Sequence, residues 1–257
     1  MIPYFQIPSL PLFGLRLHFF GFLVALGFIV GTYLAARRAG KTGLSVSAMN
    51  DAGLLCLIFG ILGAHVVALL GAEPEVLWKA PWRLLQFWSG LSSFGGFFGA
   101  GIAVAVYFRR KKLPFLPYAD ALMFGLFPGW ILGRLGCFNA HDHPGKLTDF
   151  FLAVKYSGGT RHDLGLYEAI VAVVVSGMIY YLGRKPRPAG FIFAATILLY
   201  TPVRFCLDFL RATDLSGSDP HYFGWTPVQF GSIPLLMWGS YLLFQVRKNG
   251  PKSLQNS

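Results

Sequence analysis

The chain has 257 residues, 54% of them hydrophobic and only 13% charged. Its mean hydropathy is +0.55; soluble domains carry about a quarter charged residues, so this composition excludes one and points to a polytopic membrane protein. The net charge of +11 comes from short Lys and Arg clusters between apolar runs, which are topology signals and lipid-headgroup contacts, and this excludes nucleic acid as a partner.

Taken in order, residues 1–16 hold Pro3, Pro8 and Pro11 with little charge and read as an interfacial lead-in, not as a basic signal-peptide start. The first span is predicted over 17–36, and Arg37-Arg38 behind it places that end in the cytoplasm and the N-terminus outside. The second runs over 52–71. Residues 72–93 carry Trp78, Trp82 and Trp88 with Pro74 and Pro81, the content of a segment lying at the headgroups without crossing. A third span, 94–108, is pinned inside by Arg109-Arg110-Lys111-Lys112. The fourth covers 119–138, followed by an external polar loop, 139–163. The fifth, 164–182, precedes an inside turn at Arg184-Lys185-Pro186-Arg187-Pro188. The sixth covers 189–207; after an external loop, a seventh over 228–246 ends at Arg247-Lys248.

The expected fold is therefore all-α, a single membrane domain over 1–257 of about seven spans with external polar loops. On this topology 13 of the 22 Lys and Arg are cytoplasmic, while nine of the 11 acids lie outside. No internal repeat of the transporter kind is visible. Cys56, Cys137 and Cys206 show no CxxC spacing, so neither a disulfide framework nor a zinc knuckle follows.

The functional residues gather at the outer ends of these spans. Arg134 and Arg204 stand in apolar runs, where a guanidinium costs a few kcal/mol or more unless paired or hydrated. Two planar forks at one membrane level suit a lipid phosphate. The alternative is internal pairing with Glu168 or Asp208, or snorkelling to the interface. His141-Asp142-His143 offers an imidazole beside a carboxylate, the makings of a general base. It also reads as a solvated loop, or as a metal pair for which no third and fourth ligand shows the usual spacing. Tyr167 and Glu168 sit at the outer start of a span, where the carboxylate either caps the helix or positions an arginine. Gly90 to Gly99 is a Gly and Ser run with Gly95 and Gly99 in small-xxx-small spacing, suited to close helix packing or to backbone approach by a headgroup.

At these residues the chain resembles the prolipoprotein diacylglyceryl transferase family, over nearly its whole length. Leu17-His18-Phe19-Phe20-Gly21 is similar to the LHWYG-like opening, and Gly90 to Gly99 to the GGMSFHGGL-like segment. Gly133-Arg134-Leu135-Gly136, with Phe138 and Gly145, resembles GRxGNFxNxExxG. Arg161-His162 with Leu166-Tyr167-Glu168 resembles RHPSQLYE. Arg184 to Gly190 is like RKPRPxG, Arg204 with Asp208-Phe209-Leu210-Arg211 like RxxxExFR, and Gln229 with Ser232-Ile233-Pro234 like GQxLSIPM. The chain departs from the pattern at Cys137, where the family has asparagine, at Phe94 for its histidine, Phe20 for its tyrosine, Asp142 for its glutamate and His65 for an arginine.

The resemblance implies a transferase of the bacterial cytoplasmic (inner) membrane. It would move the diacylglyceryl group of phosphatidylglycerol to the lipobox cysteine of prolipoprotein signal peptides, with no metal and no organic cofactor. Arg134 and Arg204 would hold the phosphate, while His141 or His143, then His162, would take the thiol's proton. Gly95, Gly96, Gly136, Asn139, Asp142, Gly145, Tyr167, Glu168, Asp208 and Arg211 complete the expected site. The rival expectation is a non-catalytic homologue that binds anionic lipid or chaperones lipoproteins.

Overall fold

Apolar runs in a solvent without hydrogen-bonding partners must satisfy their own backbone, and these runs do so as helices. A computed structural model of the chain describes residues 1–12, 15–72, 75–86, 90, 92–215 and 221–249; Pro74, Trp88, Leu91 and the extreme C-terminus lie outside the described residues. In chain order the elements begin with strands β1 (Ile2–Pro3), β2 (Leu10–Leu12) and β3 (Leu15–Leu17). Helices α1 (Phe19–Lys41), α2 (Val46–Ala72), the single turn α3 (Val76–Lys79), α4 (Ser93–Arg110) and α5 (Phe115–Ala140) follow. After β4 (Pro144–Leu147), β5 (Val154–Tyr156) and β6 (Gly159–Asp163) come α6 (Leu164–Leu182), α7 (Phe191–Leu207) and α8 (Pro227–Asn249).

Among the described residues five helices are long and apolar enough to cross a membrane: Phe19–Lys41, Val46–Gly71, Phe115–Ala140, Leu164–Leu182 and Phe191–Leu210. The expected third and seventh spans are helical as α4 and α8, but fall short of that standard. Arg109-Arg110 closes α4, and α8 holds Gln229, Ser232, Gln245, Arg247 and Lys248. Most helices also overrun the predicted apolar windows by a few residues, because polar helix formers extend a helix into the interface where hydropathy has already fallen. Between α2 and α4, α3 and a 3₁₀ turn at Pro81–Leu85 hold Trp78 and Trp82 exposed.

The all-α expectation needs one correction. Four strands form a sheet in the order β1-β5-β6-β4, most of it inside the stretch expected to be a plain external loop. The strands are too short and polar to register as apolar runs. Their signal is the two-residue Ser157-Gly158 turn, which joins β5 to β6 with Tyr156 opposite Gly159. β1 pairs in parallel with β5, tying the N-terminus to this sheet.

The chain divides into two compact units, residues 36–118 and the remainder. Within residues 36–118, α2 packs along α4, and a Cβ on Gly95 would stand 2.3 Å from the Gly63 carbonyl oxygen. The small residues therefore serve close helix packing. His65, in the same unit, is fully buried with Nε2 3.0 Å from the Arg83 carbonyl.

In the other unit α5 crosses the start of α1 at glycines, α6 packs on α7 and α7 on α8. Its apolar centre joins Met123, Phe124 and Phe127 of α5 to Ala172, Val175 and Ile179 of α6. Asp120 accepts from Gly190 N at 2.7 Å and Phe193 N at 2.8 Å, satisfying the first turn of α7. These contacts bind α5, α6 and α7 into one bundle, whose opposite end carries Arg134, Glu168 and Arg204.

Candidate active site

The C-terminal halves of α5 and α7 and the N-terminal end of α6 bring their charged residues to one buried centre, Glu168. This side chain is fully buried, in the second turn of α6. Arg134 Nη2 of α5 lies 2.9 Å from Glu168 Oε2, Arg204 Nε of α7 is 3.5 Å from Oε1, and Tyr200 donates to Oε2 at 3.0 Å. Arg204 reaches onward to Asp208, which also accepts from Arg211 Nε at 2.7 Å and from the Thr226 hydroxyl. The internal pairing expected as the alternative for the two arginines is thus present, and Glu168 positions arginines while Asp163 caps α6 by accepting from Leu166 N at 3.0 Å.

Pairing does not exhaust the cluster. Arg134 and Arg204, always charged, share the single carboxylate of Glu168. Arg134 Nε is buried with no hydrogen-bond partner among the described residues, although the guanidinium carbon sits 4.4 Å from the Trp130 ring centroid. Leaving such a donor unmade costs about 1–3 kcal/mol, a deficit that an anionic oxygen would remove.

The polar turn after α5 is ordered by His141. Its φ of +50° is left-handed, and it ends the helix and turns the chain back. The ring is buried, with Nδ1 2.9 Å from Asp163 Oδ2 and Nε2 2.8 Å from the Phe5 carbonyl, and Tyr4 stacks on it at 4.2 Å. Both ring nitrogens face acceptors, so neither is left to take a proton from a substrate. Asn139 has a related duty, accepting from Ile7 N at 2.8 Å. His143 differs: it is partly exposed, with Nδ1 2.6 Å from the exposed Asp142 Oδ1.

The sheet carries the remaining expected residues. A Cβ on Gly145 in β4 would stand 2.6 Å from the Leu210 carbonyl oxygen, and only glycine allows its bridge to Arg211. Arg161 of β6 donates to the Gly145 carbonyl at 3.1 Å and pairs with Asp214, which holds that carboxyl below its usual range. His162 Nδ1 lies 2.8 Å from the Tyr167 hydroxyl, and burial lowers the imidazole's pKa from its ordinary value. Asp163, buried, also accepts from Tyr156 at 2.8 Å, and burial, then this carboxylate, raises the Tyr156 phenol above its ordinary pKa. A Cβ on Gly136 would stand 3.1 Å from the Phe20 ring, while Gly95 and Gly96 belong to the unit of residues 36–118.

Sequence reasoning missed Tyr200, Asp163 and Thr226. The last two had legible signals: Asp163 stands directly before an apolar run, and Thr226-Pro227-Val228-Gln229 is a capping box in which Gln229 N donates to Thr226 Oγ1 at 3.2 Å and Thr226 N to Gln229 Oε1 at 2.9 Å. Among the described residues, one set of side chains could share a metal ion: Cys137, Asp142 and His143, whose ligand atoms all lie within 4.8 Å of one another.

Fold and site define a mostly helical polytopic membrane protein with a buried centre of paired arginines and carboxylates where three helices meet. The chain belongs to the prolipoprotein diacylglyceryl transferase family, whose sequence profile matches residues 8–245. It is 32% identical to a phosphatidylglycerol–prolipoprotein diacylglyceryl transferase of Chromohalobacter salexigens over 204 residues, 77% of this chain and 76% of the relative. The enzyme of that name in Geobacter sulfurreducens is 32% identical over 251 residues, 92% of this chain and 94% of its own. That of Campylobacter lari is 28% identical over 95% of this chain and 94% of its own.

Proposed function

We propose that this chain transfers the diacylglyceryl group of phosphatidylglycerol to the thiol of a lipobox cysteine in prolipoproteins, forming a thioether and releasing glycerol phosphate. The observation that supports the reading is the Glu168 cluster: two arginines held on one buried carboxylate, and an Arg134 Nε donor with no partner among the described residues, suit the oxygens of an anionic phosphodiester. In the reaction the sulfur attacks the glycerol carbon, the carbon–oxygen bond to phosphorus breaks, and the phosphate gains a second negative charge. Arg134 and Arg204, fixed before the reaction by Glu168 and Asp208, stabilise that developing charge without reorganising.

The thiol loses its proton at the outer turn of α5. Of the two imidazoles expected there, His143 is the one with access, and Asp142 orients it. Asn139, His141 and Gly145 shape the site through the backbone they hold; His162 and Tyr167 line it on the sheet side. Gly95 and Gly96 act through helix packing.

The arrangement in the membrane follows the basic clusters: seven spans that include α4 and α8, the N-terminus outside, the C-terminus in the cytoplasm of a bacterial inner membrane, and the site toward the outer face. An active phosphatase fused behind residue 257 would overturn this orientation. Growth of a strain depleted of its own transferase, restored by this chain and not by its Arg134→Ala variant, tests the activity. Failure of the unaltered chain, expressed and membrane-inserted, would favour a non-catalytic lipid-binding homologue.

A further inference from the structure

We propose that Cys137, Asp142 and His143 form a site for one zinc-class divalent metal ion, with a coordination position left open for the thiolate of the substrate cysteine. The second half of this proposal rests on the transfer reading above; the site itself does not.

The donors come from opposite sides of one turn. Cys137 is in the last turn of α5, and the left-handed His141 sends Asp142 and His143 back over that turn. The reversal is clamped from outside the cluster by Asp163, the Phe5 carbonyl and Tyr4. A non-glycine residue held in this backbone region is strained by about 1–3 kcal/mol, and such strain persists where surrounding contacts impose it, often at functional positions. What the strained turn achieves here is the meeting of sulfur, carboxylate and imidazole within 4.8 Å.

One S, one N and one O donor are a set that zinc accepts, and three protein ligands leave its fourth tetrahedral position for a reactant. Bond lengths of about 2.0–2.3 Å require ligand atoms roughly 3.5 Å apart. Rotation of Asp142 and His143, whose side chains are 42% and 21% exposed, can close the remaining distance about the buried sulfur. The same exposure provides the entry path for the ion and the open side for a substrate.

Charge also balances. A cysteine thiolate and a carboxylate neutralise a divalent ion, and the nearest cation, Arg134, is already paired with Glu168. Arg134 Nη1 lies 3.8 Å from Cys137 Sγ, placed as the outer hydrogen-bond partner that metal-bound sulfur commonly has. Cys137 and Asp142 are both positions at which the chain departs from the family pattern, and Phe94 stands where that pattern has its histidine. The site thus supplies a means of activating a thiol in a chain that lacks the usual imidazole.

The chemistry is redox-neutral. The substrate thiol binds the ion as thiolate and its proton passes to water. A sulfur lone pair then forms the bond to the glycerol carbon while the carbon–oxygen pair departs on the phosphate. The neutral thioether is a weak ligand and leaves. With the ion bound, His143 is a ligand and the ion takes over the removal of the thiol proton; without the ion, His143 remains the base described above.

The test uses the full-length protein in detergent, stripped with a chelator and titrated with Co²⁺. The expected result is one ion per chain with a sulfur-to-cobalt charge-transfer band. That band should disappear in Cys137→Ser, weaken in His143→Gln and Asp142→Asn, and grow when a lipobox peptide is added but not its Cys→Ser counterpart. Stripped protein should transfer lipid about tenfold or more slowly and recover with Zn²⁺. Absence of the band, or its persistence in Cys137→Ser, overturns the site. A full transfer rate in stripped protein overturns the thiolate role while leaving the transfer reading intact, with His143 as base. A peptide-responsive band in a protein that transfers no lipid supports the site and overturns the transfer reading instead.

Discussion

Glu168 Oε2 lies 2.9 Å from Nη2 of Arg134, and neither side chain is more than 4% exposed. A carboxylate so placed serves two ends: it makes a buried guanidinium tolerable, and it aims that guanidinium before any lipid arrives. Removing one partner of a buried pair costs about 3–5 kcal/mol, because the other charge is left unmatched. Glu168→Gln should therefore lower the unfolding midpoint in detergent, and adding Arg134→Gln should restore part of the loss. An unchanged midpoint in the single variant would show that the pair contributes nothing.

Arg204 touches both Glu168 and Asp208, which a planar fork can do and a point ammonium cannot. Arg204→Lys and Arg134→Lys are each expected to slow transfer about 10- to 100-fold, the worth of one or two lost charge-assisted hydrogen bonds. Rates within twofold of the parent for both variants would reduce these residues to topological anchors.

The neighbouring imidazoles should separate. His141→Ala removes one of the partners of buried Asp163 and leaves the Phe5 carbonyl without its ring contact, so its main effect should be a stability loss of about 1–3 kcal/mol, with transfer per folded molecule largely kept. His143→Ala should leave stability nearly untouched and slow transfer about 10²-fold or more. The reverse pattern, in parallel unfolding and transfer assays, would exchange their roles.

Much of this arrangement is legible in the sequence because it is written in apolar runs and misplaced charges. Arg134, Arg204, Glu168 and Asp208 are conspicuous at their positions, and the 164–182 helix has the bounds that hydropathy predicts. The sheet is not legible in the same way. Val154-Lys155-Tyr156 and Gly159 to Asp163 are short and polar, and the first of them pairs with β1 from the far N-terminus, a contact across about 150 residues that no local window contains. The role of His141 was hidden for the same reason, since its partners Phe5 and Asp163 are brought to it by that sheet. Cys137, the third member of the proposed metal site, sits before the helix stop and shows no spacing to His143 that a motif would flag.

His162 gives a pH dependence of known sign. Burial lowers its pKa below the ordinary 6.5, so the folded state favours the neutral ring. The unfolded chain then binds more protons than the folded one once pH falls through about 6.5, and stability must drop from there down to the folded pKa. In unfolding scans from neutral pH to about pH 5, His162→Asn should lose less stability than the parent. Parallel curves for the two proteins would contradict this.

The central claim is tested most directly by purified protein in vesicles containing phosphatidylglycerol labelled in its acyl chains, incubated with a lipobox peptide and read by mass spectrometry. The account predicts a peptide heavier by one diacylglyceryl group, attached through a base-stable thioether at the cysteine, with glycerol phosphate released in equal amount. Replacing phosphatidylglycerol by phosphatidylethanolamine, or the peptide cysteine by serine, should abolish it. Labelled lipid that binds the protein tightly and saturably, with no labelled peptide formed, would contradict the account and mark the Glu168 cluster as a binding site alone.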